Sequence, residues 1–180
     1  MRSIVLAGIK HCGKSTLGKG LAKALKYPFI DSDAELEKTF FLDSGSRCST
    51  REIFKILGEE KFREFEAQVI RSLISPEPRI IALGGGAVDN PFLSDEDLHQ
   101  LGFILWLDTA DEIAYKRVLK NGLPPFLAEA EDPALQFTLI NNKRRLSFAR
   151  TADAVFKIDI ELEKSAAVTG LLALLEGKIS

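Results

Sequence analysis

The chain is poor in the residues that disulfide-bonded, metal-rich and membrane-spanning proteins depend on. It has two cysteines in 180 residues, Cys12 and Cys48, and they fit no metal-ligand spacing, so we expect both to stay reduced. No apolar run approaches the ~20 residues that cross a bilayer, and the start of the chain leaves no room for a signal peptide before an apolar segment begins. These absences predict a cytoplasmic protein without a membrane partner.

A large excess of charge of either sign is also missing. The net charge is −2, with 24 basic and 26 acidic side chains, so there is no basic surplus to neutralise a nucleic-acid backbone. Hydrophobic residues make up 46% and charged residues 28% of the chain, which is ordinary for a folded protein. We therefore predict a single domain over residues 1–180 that is a monomer and binds no nucleic acid.

The most informative stretch is residues 4–16, IVLAGIKHCGKST, where an apolar run leads into the P-loop pattern GxxxxGK[ST] and then into helical spacing. Gly8 and Gly13 let successive backbone N–H groups point inward at a polyphosphate. Lys14 brings a positive charge to the outer phosphates, Ser15 offers a hydroxyl to Mg²⁺, and the helix adds its partial positive end. The P-loop, residues 8–15, predicts nucleotide binding but not what is done with the nucleotide.

Two carboxylates follow the next short apolar segment, where Asp31 and Asp33 flank Ser32. One of them is expected to face the P-loop metal and the other a second substrate. The alternative is that these residues only cap the following helix, because Ser and Asp are favoured at that position.

A second pattern combines a glycine run with charges on a helix. Residues 79–83 read as a buried parallel strand that runs into Gly84, Gly85 and Gly86, which let a ligand approach the backbone, although a tight turn alone would also use glycine. Arg63 and Glu66, three residues apart on a predicted helix, interrupt its apolar face. The alternative for this pair is a solvated ion pair.

Five strand-like segments alternate with helical ones, which predicts an α/β three-layer sandwich around a parallel sheet. The carboxyl ends of such strands meet at one edge, so the P-loop, the aspartates and the glycine run are expected in one crevice. A polar loop is predicted at 42–50. The irregular segment 121–132 has the length of a mobile lid, and a plain surface loop is the alternative.

A Mg·ATP site beside a second polar pocket indicates phosphoryl transfer. A GTPase switch would carry DxxG and NKxD motifs, and neither occurs, since residues 142–145 read NKRR. A small-molecule kinase therefore fits the chain better than a switch.

The order and spacing of these residues resemble the shikimate kinase family. The matching positions are residues 8–15, Asp31-Ser32-Asp33, Gly58-Glu59, Phe62-Arg63, Glu66, Gly84-Gly85-Gly86-Ala87-Val88 and Arg144. The resemblance covers about residues 3–160. It implies the fold of the nucleoside monophosphate kinases, with a five-stranded parallel sheet of order 2-3-1-4-5. It also implies the reaction of ATP with shikimate to give ADP and shikimate 3-phosphate, a step of chorismate and aromatic amino-acid biosynthesis.

The resemblance implies roles for the matched positions. Asp33 would hold the shikimate hydroxyls and act as the base, with Lys14 as the other catalytic residue, while Arg63 and Arg144 would grip the carboxylate. ATP would be held by Gly8, Gly13, Lys14, Ser15, Thr16 and Arg117, shikimate also by Gly84, Gly85, Gly86, Phe54, Phe62 and Glu66, and Mg²⁺ by Ser15 and Asp31. The substrate-binding region would be about 32–62 and the lid about 121–132.

Two positions depart from the family's pattern. Pro124 stands where the family's lid carries an arginine, and Ser165 where it usually has a proline near the adenine. An arginine on a transferring phosphate contributes roughly 10³–10⁵ in rate in other enzymes, so Pro124 bears on rate more than on binding, and Lys120 or Arg117 are candidates to compensate. The alternatives are a related kinase for another small hydroxylated acid such as gluconate, and a non-catalytic ATP- or shikimate-binding homologue.

Overall fold

Five parallel strands form the sheet of this protein. The structure, a computed structural model, describes residues 2–120, 122–123 and 125–179. The strands are β1 (Ile4–Ala7), β2 (Phe29–Asp31), β3 (Ile80–Ala82), β4 (Phe103–Thr109) and β5 (Ala154–Ile158). Their order across the sheet is β2-β3-β1-β4-β5 and every paired neighbour is parallel. The predicted α/β class and strand order are confirmed.

Helices connect the strands and cover the sheet. They are α1 (Lys14–Leu25), α2 (Ser32–Ser44), α3 (Thr50–Leu57), α4 (Glu59–Ser72), α5 (Asp95–Leu101), α6 (Asp111–Lys120), α7 (Pro125–Ala128), α8 (Pro133–Thr151) and α9 (Lys164–Leu175). A single 3-10 turn spans Ala87–Asp89. Within the described parts of the chain, none of these helices combines the length and the apolarity that a membrane crossing requires.

The predicted polar loop at 42–50 is wrong at its first positions, because α2 continues through Ser44. The Ser44 hydroxyl donates to the Phe40 carbonyl at 2.7 Å, so this polar side chain is satisfied inside the helix. The helix ends at Gly45, whose φ of 72° is left-handed and whose N–H bonds back to the Phe41 carbonyl. The sequence marked the polar residues correctly but not the glycine at which the helix stops.

The central strands are buried on both faces. Ile4, Val5 and Leu6 are consecutive in β1 and all have 0% exposure, so side chains that point to opposite sides of the sheet are equally covered. Burial of each such side chain stabilises the fold by about 1.5–3 kcal/mol. The strands therefore form a rigid floor from which the loops at their carboxyl ends project.

A second, smaller apolar cluster lies among α2, α3 and α4. Its buried members are Leu36, Ile53, Phe62 and Val69, one or two from each of these helices. The capping box at Ser49 and Glu52 starts α3 so that Ile53 points into this cluster. These helices therefore have an apolar core of their own, beside the main one, and it underlies the region predicted to bind the acceptor.

A buried arginine ties α8 to the end of β4. Arg145 donates to both carboxylate oxygens of Asp111, at 3.1 and 2.8 Å, and to the Thr109 carbonyl at 3.0 Å. Its side chain is 23% exposed and also lies 3.4 Å from the carboxylate of Asp108. Arg144 is the preceding residue of α8, so this anchor sets the position of a predicted site residue.

We expect Arg145→Met to lower the free energy of unfolding by about 2 kcal/mol, because it removes two hydrogen bonds to the Asp111 carboxylate and one to the Thr109 carbonyl. The matched control is Arg150→Met on the same helix. Arg150 pairs with Asp95 at the surface, with 62% of its side chain exposed, and its loss should cost less than about 1 kcal/mol. Urea unfolding of both variants measures the difference, and equal losses would contradict the anchoring role.

Candidate active site

A cavity of about 780 Å³ opens at the carboxyl edge of the sheet. Segments distant in sequence line it together: the P-loop with the first turn of α1, the junction of β2 and α2, α4, the glycine segment (residues 84–86) and α8. The predicted site residues in its lining are Gly13, Lys14, Ser15, Thr16, Asp31, Asp33, Phe62, Arg63, Glu66, Gly84, Gly85, Gly86, Arg117 and Arg144. Gly8 and Phe54 lie behind this lining, where each contacts a residue that is part of it.

The P-loop wraps around the start of α1 in a conformation that depends on its two glycines. Gly8 has a φ of 147°, and a Cβ there would lie 2.8 Å from both Cys12 Sγ and the Leu107 carbonyl oxygen. Gly13 has a φ of 107° and immediately precedes the first residue of α1. The positive end of the helix and its free N–H groups therefore point into the cavity, as an anion-binding loop requires.

His11 is a third left-handed residue of the P-loop, with a φ of 64°. The sequence gives no signal of this conformation, because histidine is not specific to left-handed backbone. Burial is the main reason why its pKa is lowered, and the positive charges of Lys10, Lys14 and Arg117 lower it further. Its imidazole is therefore neutral at pH 7, and its part in the loop is a backbone one.

The ammonium of Lys14 closes the P-loop. It donates to the carbonyl oxygens of Gly8 and Ile9, at 2.9 Å in each case. These bonds hold the charge beside the free N–H groups of α1, where the outer phosphates of a nucleotide would lie.

Ser15 and Asp31 face one another across the cavity floor. The Ser15 hydroxyl donates to Asp31 Oδ2 at 2.7 Å. The other carboxylate oxygen of Asp31 accepts from the backbone N–H of Asp33 at 3.2 Å and so caps α2. Asp31 therefore caps α2, as one interpretation predicted, while its other oxygen accepts from the Ser15 hydroxyl of the P-loop. A hydroxyl beside a carboxylate is a hard-oxygen donor set that fits Mg²⁺.

Asp33 points away from Asp31, toward the glycine segment. A Cβ on Gly84 would lie 2.5 Å from Asp33 Oδ1, closer than such atoms can approach. Burial is the main reason why the pKa of Asp33 rises from 3.8 to about 6, and the negative charges of Asp31 and Glu66 add to it. Lys14 and Lys10 act in the opposite direction. The result is a carboxylate that is ionised at pH 7 but close to its titration range.

Ser32, between the two aspartates, fixes the glycine segment against α2. It is 4% exposed, and its hydroxyl accepts from the Gly84 N–H at 2.8 Å. Sequence reasoning gave Ser32 only a capping role, because a serine at the start of a helix is common there. This hydrogen bond also holds the backbone of Gly84 close to Asp33.

The other two glycines of this segment approach different partners. A Cβ on Gly85 would lie 3.4 Å from the backbone nitrogen of Lys10, and a Cβ on Gly86 would lie 3.1 Å from the guanidinium of Arg63. None of the three has a left-handed φ, so the turn that the Ala87 N–H closes onto the Gly84 carbonyl does not itself require glycine.

Arg63 and Glu66 form an enclosed ion pair rather than a solvated one. Arg63 Nη1 lies 2.8 Å from Glu66 Oε2, and the glutamate is only 5% exposed. Asn90, itself 2% exposed, donates to the same glutamate oxygen at 2.9 Å and to the Arg63 carbonyl at 2.8 Å. Sequence reasoning missed Asn90, whose only signal was its place just after the glycine segment.

Arg144 reaches the same side of the cavity from α8. Its side chain is 26% exposed and lies 3.9 Å from the carboxylate of Asp89. Burial lowers its pKa, and Arg63 contributes in the same direction. Two guanidinium groups from different helices thus face one pocket.

The two aromatic residues predicted for the site differ in burial. Phe62 is 4% exposed and lines the cavity, whereas Phe54 is 39% exposed and stacks edge-on against Phe62 with the ring centres 5.2 Å apart. Phe54 therefore supports the wall from behind.

Arg117 lines the end of the cavity beside the P-loop. It donates to the His11 carbonyl at 3.1 Å and to Glu161 at 2.7 Å, and so links the P-loop with the segment before α9. Sequence reasoning did not find Glu161, which stands among ordinary surface charges. In the segment predicted as a lid, α7 places Leu127, with 0% exposure, in the cavity lining, while Pro124 lies outside the described residues.

Comparisons with known proteins agree with this geometry. A family model described as shikimate kinase matches residues 10–175. A shikimate kinase of Rhizobium meliloti (strain 1021) is 33% identical over 172 residues, which cover 96% of this chain and 84% of that protein. A shikimate kinase of Parasynechococcus marenigrum (strain WH8102) is 33% identical over 174 residues, with 97% and 86% covered.

Solved structures give the same result. The shikimate kinase from Acinetobacter baumannii in complex with shikimate matches with a TM-score of 0.83 and 28% identity, over 100% of this chain and 96% of that one. The shikimate kinase from Bacteroides thetaiotaomicron matches with a TM-score of 0.80 and 29% identity, over 98% and 99%. The chain therefore belongs to the shikimate kinase family of small-molecule kinases.

Proposed function

We propose that this protein transfers the γ-phosphoryl group of ATP to the 3-hydroxyl of shikimate. The observation that carries the proposal is the position of Asp33. Its carboxylate has a pKa raised to about 6 and shares one cavity with the phosphate-binding lysine, Lys14, and with two arginines, Arg63 and Arg144. A base near neutrality between an anion-binding loop and a carboxylate-binding pair suits a kinase whose acceptor is a hydroxy acid.

The donor half of the site is the P-loop with the residues around it. The N–H groups at the start of α1 bind the phosphates, Lys14 neutralises the outer ones, and Arg117 lies against the adenine. The complete set proposed for ATP is Gly8, Gly13, Lys14, Ser15, Thr16 and Arg117. Gly8 acts indirectly, because its carbonyl holds the Lys14 ammonium in place.

The hard-oxygen pair of Ser15 and Asp31, 2.7 Å apart, would hold Mg²⁺. The ion would neutralise part of the negative charge on the phosphates. Asp31 keeps its cap on α2 through its other oxygen, so the metal pair is fixed to the helix that carries Asp33.

The acceptor half is assembled from α4, α8 and the glycine segment. Arg63 and Arg144 bind the carboxylate of shikimate through their planar guanidinium groups. Gly84, Gly85 and Gly86 let the ring lie against the backbone, while Phe62, Glu66 and, from behind, Phe54 shape the pocket. Asn90 and Glu66 fix the orientation of Arg63, which reduces the entropy lost when the acid binds.

In the reaction, Asp33 accepts the proton of the 3-hydroxyl as that oxygen forms its bond to the γ-phosphorus and the bond from phosphorus to the β-bridging oxygen breaks. ADP leaves with the electron pair of the broken bond. A positioned base of this kind contributes about 10²–10⁴ in rate. The segment 121–132 closes over the reactants and excludes water, which would otherwise compete as the acceptor.

We also propose the domain organisation, the oligomeric state and the location of the enzyme. Residues 1–180 form one kinase domain, in which about residues 32–62 are the substrate-binding region and α4, α8 and the glycine segment complete the acceptor site. It is a monomer in the cytoplasm with neither nucleic acid nor membrane as a partner, which its net charge of −2 supports.

A coupled ADP-release assay with shikimate, quinate and gluconate tests the substrate. We expect kcat/KM for shikimate to exceed that for gluconate by about 100-fold or more, because a site built to hydrogen-bond one acid leaves its polar groups unpaired with another. Omission of Mg²⁺ should abolish ADP release. Preference for gluconate would identify a different acceptor, and tight binding of ATP and shikimate without turnover would identify the non-catalytic homologue.

The variant Asp33→Asn should change activity and stability in opposite directions. The rate should fall by about 10²–10⁴, since the base is lost. Because the folded-state pKa of about 6 lies above the ordinary 3.8, the folded protein binds this proton more tightly than the unfolded chain does. The stabilisation that the proton gives is complete below pH 3.8 and is lost as the pH rises through 6.

Above pH 6 the asparagine variant should therefore be more stable than the native protein, by up to about 3 kcal/mol, and the difference should shrink toward pH 4. Asp43→Asn, an exposed change on the same helix, is the control and should alter neither property by much. Thermal unfolding at pH 5 and pH 8 measures the effect. A destabilised asparagine variant at pH 8 would refute the burial account of the pKa.

A further inference from the structure

Lys10, in the variable part of the P-loop, has no role in the site as described so far. Its backbone nitrogen and Cα lie 3.4 and 3.7 Å from where a Cβ of Gly85 would be, so the glycine segment packs directly against it. Its side chain is exposed to the cavity and forms part of the lining. At Lys10 the P-loop therefore lies against the glycine segment.

The charges around Lys10 belong to both halves of the site. Burial is the main reason why the pKa of its ammonium is lowered; Arg51 on α3, Arg144 on α8 and Lys14 on the P-loop lower it further, whereas Asp33 on α2 raises it. In return, Lys10 and Lys14 both lower the pKa of Asp33. Both lysines of the P-loop therefore lie close enough to Asp33 to influence its charge.

Other cations in the cavity lining are already engaged. Lys14 binds two carbonyls, Arg63 pairs with Glu66, and Arg117 pairs with Glu161. In the part of the chain that the structure describes, the Lys10 ammonium makes no hydrogen bond or ion pair. A cation held among other cations at a cavity wall favours an anion in that cavity.

The segment proposed to close over the reactants brings no positive charge of its own. Residues 121–132 read NGLPPFLAEAED, with acidic residues at 129, 131 and 132 and no lysine or arginine. Lys120, just before it, is not in the cavity lining of the described residues. Negative charge that builds up on a phosphoryl group between Lys14 and Asp33 must therefore be neutralised by side chains of the cavity walls.

We propose that Lys10 is a second phosphate-binding lysine, which contacts the phosphoryl group from the acceptor side while it is transferred. This assignment rests on the proposed function of the same site. Lys14 holds the phosphates before and during the reaction, whereas Lys10 meets the group only as it moves toward Asp33. An interaction of this kind raises kcat more than it tightens substrate binding.

The test compares Lys10→Met, which keeps the Cβ and the approximate length, with Lys10→Arg and with Lys23→Met, an exposed lysine on α1. Assays at pH 8 keep Asp33 ionised in every variant, so a change in its pKa does not enter. We expect kcat of Lys10→Met to fall by about 100-fold with both KM values within about three-fold, as for loss of one transition-state donor. Lys10→Arg should retain activity within about ten-fold of the native protein, and Lys23→Met should be unchanged.

A rise in the KM for shikimate with kcat unchanged would overturn the proposal and make Lys10 a ligand of the acceptor carboxylate. A kcat within about three-fold of the native value would overturn it as well.

A binding experiment separates this proposal from the proposed function. ADP with Mg²⁺ and fluoroaluminate mimics the phosphoryl group in transit, whereas ADP with Mg²⁺ alone does not. Lys10→Met should bind ADP alone as the native protein does and bind the fluoroaluminate complex at least ten-fold more weakly, whichever hydroxy acid is the acceptor. Equal weakening of both would assign Lys10 to ordinary nucleotide binding. Failure of the native protein to phosphorylate shikimate would refute the proposed substrate and leave this comparison valid.

Discussion

Gly84 lies closer to Asp33 than a residue with a Cβ could, and the site depends on this approach. Each glycine meets a different element: Gly84 meets Asp33, Gly85 meets the P-loop at Lys10, and Gly86 meets Arg63. Through these contacts α2, the P-loop and α4 are packed around the glycine segment. The buried strand β3 ends directly before it, so the segment stands on the rigid floor of the sheet.

Hydrogen bonds on both sides hold the segment in this position. Ser32 accepts from the Gly84 N–H, and Asn90, just beyond the glycines, binds both Glu66 and the Arg63 carbonyl. The same enclosure raises the pKa of Asp33, because burial and the nearby carboxylates disfavour its charge. Stability is given up to place a reactive carboxylate where the acceptor hydroxyl is proposed to lie, a common feature of active sites.

Sequence reasoning reached the P-loop, the paired aspartates and the glycine run because each has a spacing with a physical cause. The strand order came from the family resemblance, since alternation of strands and helices alone fixes no order. The sequence could not decide whether Arg63 and Glu66 are solvated, because that depends on Asn90, 24 residues further along. Lys10 and His11 gave no signal for a similar reason: their positions are set by the shape of the loop and by the segment packed against it.

The most direct test of this account is the steady-state rate of Gly84→Ala, measured together with its affinity for ADP. The added methyl group would displace the Asp33 carboxylate, and a misplacement of about 1 Å at a reacting group costs roughly 100-fold in rate. We predict a fall of about that size in kcat with ADP affinity unchanged, because the P-loop is not moved. A variant that keeps kcat within about three-fold would contradict the dependence of Asp33 on this close approach.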